Sequence, residues 1–166
     1  FISPVRNKSK AKGNEKPSNC EAYYELMMQD NELARMSAAK SWSTWEAHAS
    51  TLHPAPRLIK HFSDGGRAHA RCLIATHYFR NQCFLEPDQL LKNASVLKNI
   101  PGIIVHARFD CVSPLDNAHQ LRKAWPTSQL YIVREAGHSA TEPAMIDALI
   151  RATRDMALRF EADFQV

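Results

Sequence analysis

The sequence is poor in the residues that mark several common kinds of site. Glycine occurs only five times in 166 residues, and no serine has glycine two positions away on both sides. This excludes from the chain a Gly-x-Ser-x-Gly turn, the motif that exposes a nucleophilic serine between a strand and a helix. The eight histidines show no His-Glu-x-x-His or similar spacing, so the sequence predicts neither a metal site nor a cofactor.

Cysteine and long apolar runs are also scarce. The four cysteines form no Cys-x-x-Cys pair; they are Cys20, Cys72, Cys83 and Cys111. Reduced thiols in a cytoplasmic protein are the simplest interpretation of that scatter. No apolar run approaches the roughly 18 residues that suggest a membrane span, so we expect no membrane partner. The sequence gives no oligomeric state.

The net charge of +4 is confined to one end of the chain. Residues 1–19 hold five basic side chains and one glutamate, and the remainder is neutral overall. This stretch has no apolar periodicity, so it cannot bury enough apolar surface to outweigh the conformational entropy lost on folding. We therefore predict a disordered basic linker over residues 1–19. A polybasic docking tail is the alternative, but the neutral body argues against a nucleic-acid partner.

Residues 20–95 are predicted to be mainly α-helical. Capping residues and helical spacing indicate helices from about 20 to 29, from Glu32 to about Ala49 and from Arg67 to about Cys83. A proline-containing break separates the second from the third, and a short helix opens at Pro87. A helical block of this kind is typical of a cap or lid inserted between strands.

The periodicity changes in residues 96–166. Two short apolar runs, Ile103–Val105 and Leu130–Val133, have the composition of buried parallel strands. A helical pattern from Pro114 to about Trp125 separates them, and a final helix opens at Pro143. A right-handed strand–helix–strand crossover makes the two strands parallel and brings their following loops to one sheet edge.

Each predicted strand runs into a loop that carries one titratable residue, Asp110 after the first and His138 after the second. In an α/β-hydrolase the members of the Ser–His–Asp triad follow the chain order Ser, Asp, His. An acid in the first loop can orient the imidazole, and the imidazole can take a proton from serine. Structural roles are the alternative: Asp110 could start a turn before Pro114, and His138 could cap the last helix.

The predicted fold class is therefore α/β, as a partial α/β-hydrolase fold: a helical cap followed by the last strands and helices of a parallel sheet. Because the serine is missing and the first residue is Phe1, we expect a C-terminal piece of a longer enzyme whose nucleophile lies upstream. Activation without a nucleophile yields no covalent catalysis, so we expect this chain alone to be inactive.

Eight segments of the chain resemble the proline iminopeptidases (prolyl aminopeptidases), serine peptidases of the α/β-hydrolase fold. These segments are residues 38–46 (AAKSWSTWE), 77–79 (HYF) with Asn81, 88–91, 100–101, 108–110 (RFD), 114–115, 123–126 (KAWP) and 137–140 (GHSA). They are spread over both the predicted cap and the predicted catalytic part.

The resemblance implies a peptide substrate with an N-terminal proline, which is released through an acyl-enzyme. It assigns the acid and base positions to Asp110 and His138. It assigns Glu46 to a cap glutamate that pairs with the substrate's secondary ammonium, and places Ser113 where members often have a cysteine lining the proline pocket. One departure is Ala75, which stands where a second cap glutamate is usual.

Two further functions stay open at this point. The loss of one cap carboxylate weakens capture of an amine, so the enzyme could act on esters or other amides. The chain could also be a non-catalytic pseudoenzyme or binding module whose lysine-rich end meets an acidic partner, with binding that falls steeply with salt.

Overall fold

The first helix begins where the predicted linker ends. The structure is a computed structural model that describes residues 18–163, so the predicted linker lies almost wholly outside the described residues. The side-chain oxygen of Ser18 accepts a hydrogen bond from the backbone N–H of Glu21 at 3.2 Å and caps the helix. The helix begins at Asn19, within one residue of the predicted start at about 20.

The first of two compact units is helical and contains the described residues up to His48 together with Ala55–Pro87. Its core is formed by Met27, Ala38, Trp42 and Cys72. Burial raises the pKa of the Cys72 thiol, which keeps it protonated beside the Ser43 hydroxyl. The helices are α1 (Asn19–Met28), α2 (Glu32–Ala49), α3 (Pro56–Phe62) and α4 (Gly65–Arg80).

Two features of this unit differ from the sequence prediction. Helix α3, which the sequence did not predict, begins at Pro56, the last residue of the proline-containing break predicted over 53–56, because a proline at the first helical position costs no hydrogen bond. Helix α4 ends at Arg80, three residues before the predicted end. The next turn, Gln82–Phe84, has φ angles of 53°, 54° and 58°, which no right-handed helix can contain.

The second unit contains Ala49–Pro54 and the described residues from Asp88 onward. Its two strands pair in parallel, in register from Gly102 opposite Ser128 to Ala107 opposite Val133. This arrangement confirms the predicted strand–helix–strand order and the α/β class. The elements are α5 (Gln89–Asn93), β1 (Gly102–Ala107), α6 (Leu115–Ala124), β2 (Ser128–Val133) and α7 (Pro143–Asp163).

The start of α5 corrects one prediction. Pro87 precedes the helix instead of opening it, because Asp88 has a left-handed backbone with φ of 59° and the first helical residue is Gln89.

The core of the second unit lies between the sheet and α7, where Ala107, Ala136 and Met145 are buried. Most of these side chains are small, so the backbones of β1 and α7 approach closely.

The expected division between cap and catalytic part, at residues 95 and 96, lies eight residues after the division between the two units at Pro87 and Asp88. The assignment of the helical unit as a cap stays a prediction.

Across the described residues, no helix has both the length and the apolar character that a membrane crossing needs.

Gly102 at the start of β1 lies against the indole ring of Trp125, which follows α6. A Cβ atom at this position would overlap ring atoms of Trp125. The ring cannot swing away freely, since its Nε1 donates a hydrogen bond to the Ile100 carbonyl at 2.8 Å. We expect Gly102→Ala to lower the free energy of unfolding by about 1–3 kcal/mol, the usual cost of overpacking.

Urea denaturation of the two proteins measures this effect. Gly66→Ala is the matched control, because a Cβ at Gly66 in α4 meets nothing within 4 Å and a helical alanine is favourable. An unfolding midpoint for Gly102→Ala equal to that of the parent chain would show that the Trp125 ring moves aside without loss of stability.

Candidate active site

The loops that follow β1 and β2 are joined by backbone hydrogen bonds at one edge of the sheet. The N–H of Arg108 donates to the Val133 carbonyl at 2.8 Å, and the N–H of Phe109 donates to the Ala136 carbonyl at 3.2 Å. Parallel pairing brings the carboxyl ends of both strands to this edge. The two loops are thus fixed to each other immediately before Asp110 and His138.

Asp110 and His138 meet in a direct hydrogen bond. His138 Nδ1 lies 2.9 Å from Asp110 Oδ2, and the Asp110 side chain is 6% exposed while that of His138 is 41% exposed. An ionised carboxylate can only accept hydrogen bonds, so the ring proton is on Nδ1. The lone pair of His138 Nε2 then remains available as a base.

The second oxygen of Asp110 is held by backbone amides. Asp110 Oδ1 accepts hydrogen bonds from the N–H of Val112 at 2.9 Å and from the N–H of Ser113 at 2.7 Å. This is a local turn closed by an aspartate side chain. Asp110 therefore does both things that the sequence offered as alternatives: it starts a turn before Pro114, and it contacts His138.

The backbone on either side of His138 is fastened to residues 50–52. The N–H of Ser139 donates to the Ser50 carbonyl at 2.7 Å. The Glu142 carboxylate accepts from the N–H of Gly137 at 2.6 Å and from the N–H of Leu52 at 2.9 Å. These bonds fix the direction of the imidazole, and they explain why the loop requires a glycine: a Cβ at Gly137 would meet backbone atoms of residues 50–52.

Ser113 lies in the loop that carries Asp110, and its backbone makes two hydrogen bonds there. Its N–H donates to Asp110, and its carbonyl oxygen accepts from His106 Nε2 at 2.9 Å. The role that the resemblance implies for its side chain, lining a proline pocket, stays a prediction.

Glu46 is on α2 in the helical unit and is paired with an arginine. Its Oε2 lies 3.0 Å from Nη1 of Arg71, and Nη2 of the same guanidinium donates a hydrogen bond to Ser43 Oγ at 3.2 Å. The guanidinium further stacks on the ring of Phe62 at 4.0 Å. Arg71 was missed in the sequence analysis. Its position one helical turn before Ala75 on α4 could have indicated that it lies near Glu46.

His106 and Glu142 were also missed. His106 was set aside because it has no metal-ligand spacing, although it stands four residues before Asp110. Glu142 comes directly before the helix that opens at Pro143, and no sequence motif marks it. Within residues 18–163, no three His, Cys, Asp or Glu side chains cluster in a way that could hold a metal ion.

Several known proteins that match the chain in sequence are proline iminopeptidases. A proline iminopeptidase from Xanthomonas citri is 45% identical over 137 residues, which are 82% of this chain and 44% of the relative. Over about four fifths of its own length the chain is similar to proline iminopeptidases. A more distant match is the enzyme of Arabidopsis thaliana, 34% identical over 145 residues, which are 86% of this chain and 38% of that one.

The chain spans less than half of the length of these relatives. Among solved structures, an esterase (EaEST) from Exiguobacterium antarcticum matches with a TM-score of 0.49 and 20% identity, covering 86% of this chain and 47% of that one. No family model matches the chain. The structure itself confirms the expected α/β class, with helices followed by a small parallel sheet, and the α/β-hydrolase fold stays a prediction.

Proposed function

We propose that this chain supplies the acid and base of a serine aminopeptidase-type hydrolase that releases N-terminal proline from peptides. The observation that carries the proposal is the 2.9 Å hydrogen bond between Asp110 and His138, which leaves Nε2 of an exposed imidazole without the ring proton. The names of the relatives support the substrate class. The nucleophilic serine would come from the part of the longer relatives that this chain does not span.

In this proposal His138 Nε2 takes the proton of the serine hydroxyl as the oxygen attacks the prolyl carbonyl. The same proton then passes from Nε2 to the leaving amine, and a water molecule repeats the sequence to release proline. Asp110 stabilises the imidazolium that forms and holds the Nδ1–H tautomer throughout. Its own two oxygens are already occupied by His138 and by two backbone amides, so it needs no rearrangement during the reaction.

We propose further that Glu46 contacts the secondary ammonium of the substrate. A carboxylate has several acceptor positions, so pairing with Arg71 is compatible with a second cation. The arginine does reduce the net negative charge that an ammonium meets there. Ala75 and Arg71 together support the second candidate function, a hydrolase of esters or other amides with weak selection for a free N-terminus.

The decisive experiment supplies the missing part. The 166-residue chain is co-expressed with the portion of the Xanthomonas citri enzyme outside the matched residues, and this complemented protein is assayed with prolyl, alanyl and simple ester substrates. We expect hydrolysis of prolyl arylamides, and no activity or fluorophosphonate labelling of the chain alone. Preference for esters would replace the peptidase proposal, and an active chain alone would contradict it.

Glu46→Gln tests the ammonium contact in the complemented protein. We expect KM for a prolyl arylamide to rise about tenfold with kcat little changed, since a charge-assisted hydrogen bond contributes about 1.5–3 kcal/mol. An N-acetylprolyl substrate has no ammonium and should not respond. Glu25→Gln, the same chemical change at an exposed glutamate of α1, is the control. Equal loss with both substrates would assign Glu46 a structural role.

A cytoplasmic location remains part of the proposal. All four cysteines are free thiols in the structure, which supports a reducing compartment. The absence of nucleic-acid and membrane partners also stays a prediction, as does any role of residues 1–19 as a docking tail. Binding of the full chain to anionic vesicles in low salt would favour the binding-module alternative.

A further inference from the structure

His106 is a second histidine beside the Asp110 carboxylate, and the proposed mechanism gives it no role. It lies on β1 with a side chain that is 16% exposed. Its Nε2 is 2.9 Å from the carbonyl oxygen of Ser113 and 3.7 Å from Asp110 Oδ2. The carboxylate therefore lies between two imidazoles, one from β1 and one from the loop that follows β2.

The contact with Ser113 fixes the position of the proton on His106. A backbone carbonyl oxygen only accepts hydrogen bonds, so the ring must carry its proton on Nε2. That N–H is directed at the carbonyl, and the 3.7 Å separation from Asp110 Oδ2 is too long for a second hydrogen bond. His106 therefore holds the loop directly, and it acts on the carboxylate mainly through the loop.

Ser113 is consequently held on both sides of its backbone. Its N–H is bonded to Asp110 Oδ1 and its carbonyl to His106 Nε2. Because His106 is part of a paired strand, this connection anchors the loop to the sheet. If the Ser113 carbonyl were released, the amides of Val112 and Ser113 could turn away, and Asp110 Oδ1 would lose the contacts that orient Oδ2 toward His138.

We propose that His106 is a positioning residue that fixes the Asp110–Ser113 loop and so aims the Asp110 carboxylate at His138. The inference about kcat rests on the proposed function, whereas the inference about the Asp110–His138 contact does not. A glutamine can place its amide N–H close to the position of His106 Nε2. An asparagine is one methylene shorter and cannot reach the Ser113 carbonyl, so the two variants differ in reach and share their chemistry.

The first measurement uses the full 166-residue chain without substrate. The Nδ1 proton of His138, bonded to a carboxylate, should give an NMR resonance far downfield of the backbone amides. We expect His106→Gln to keep this resonance and His106→Asn to lose it, while circular dichroism shows both variants folded. His119→Asn on α6, an exposed histidine of the same unit, should leave the resonance unchanged.

The second measurement uses the complemented protein. We expect His106→Asn to lower kcat about 10²-fold at constant KM, the scale of a misplacement of about 1 Å in a catalytic group, and His106→Gln to restore most of the rate. Equal behaviour of the two variants in both measurements would overturn the inference. If the resonance follows the expected pattern but the complemented parent protein cleaves no prolyl substrate, the positioning role stands and the proposed function fails.

Discussion

Asp110→Asn is expected to abolish nearly all activity of the complemented protein, with kcat lowered about 10⁴-fold, because the proposed function makes Asp110 the acid of a Ser–His–Asp triad. The reason lies in the contacts of the carboxylate. The amides of Val112 and Ser113 require an acceptor at Oδ1, so the amide nitrogen of the asparagine must take the place of Oδ2. It would then present a donor to His138 Nδ1, which forces the ring proton onto Nε2.

The wrong tautomer removes the base, because a protonated Nε2 cannot accept the serine proton. Asp116→Asn is the matched control: the same chemical change at an exposed acid in the first turn of α6, with an expected effect on kcat below twofold. Loss of the downfield His138 resonance should accompany the loss of rate. If kcat stayed within tenfold of the parent value, Asp110 would not be the acid of the triad.

Gly137→Ala is expected to cause the largest loss of stability and to displace His138. A Cβ at this position would lie 2.8 Å from the N atom of Leu52, 3.0 Å from the carbonyl carbon of Thr51 and 3.1 Å from the Ser50 oxygen. These are backbone atoms held by the Glu142 carboxylate and by Ser139, so they cannot move independently. We expect the free energy of unfolding to fall by about 3 kcal/mol.

The loop must separate from residues 50–52 to make room, and this movement carries His138 with it. Activity of the complemented protein should fall by at least about 10²-fold even below the unfolding temperature. Gly66→Ala serves again as the reference substitution, because its Cβ meets open space. A destabilised protein with the normal His138 resonance and full kcat would show that the loop relaxes without moving the imidazole.

The sequence predicts most of the second unit because its signals are local. Two short apolar runs bounded by turn residues predict β1 and β2, and the helical pattern between them predicts a parallel pair. Once the strands are parallel, their loops must meet at one edge, so the proximity of Asp110 and His138 follows from topology alone.

The contacts that tune the site are not local and could not be predicted in this way. Glu142 binds the N–H of Leu52, 90 positions earlier in the chain. The Arg71 pairing of Glu46 depends on the relative rotation of α2 and α4, which periodicity does not define. The end of α4 was missed for a different reason: Gln82 and Phe84 have side chains that rarely adopt positive φ, so their types give no signal for a left-handed turn.

Only one edge of each strand in the described sheet is hydrogen-bonded, since β1 and β2 pair with each other alone. The outer backbone groups of such ribbons are templates for a strand from another molecule. Exposed apolar side chains of α7, including Ile146, Ile150 and Leu158, add apolar surface in the same unit. Self-association should therefore increase with protein concentration, and a dilution series that follows the hydrodynamic radius measures it.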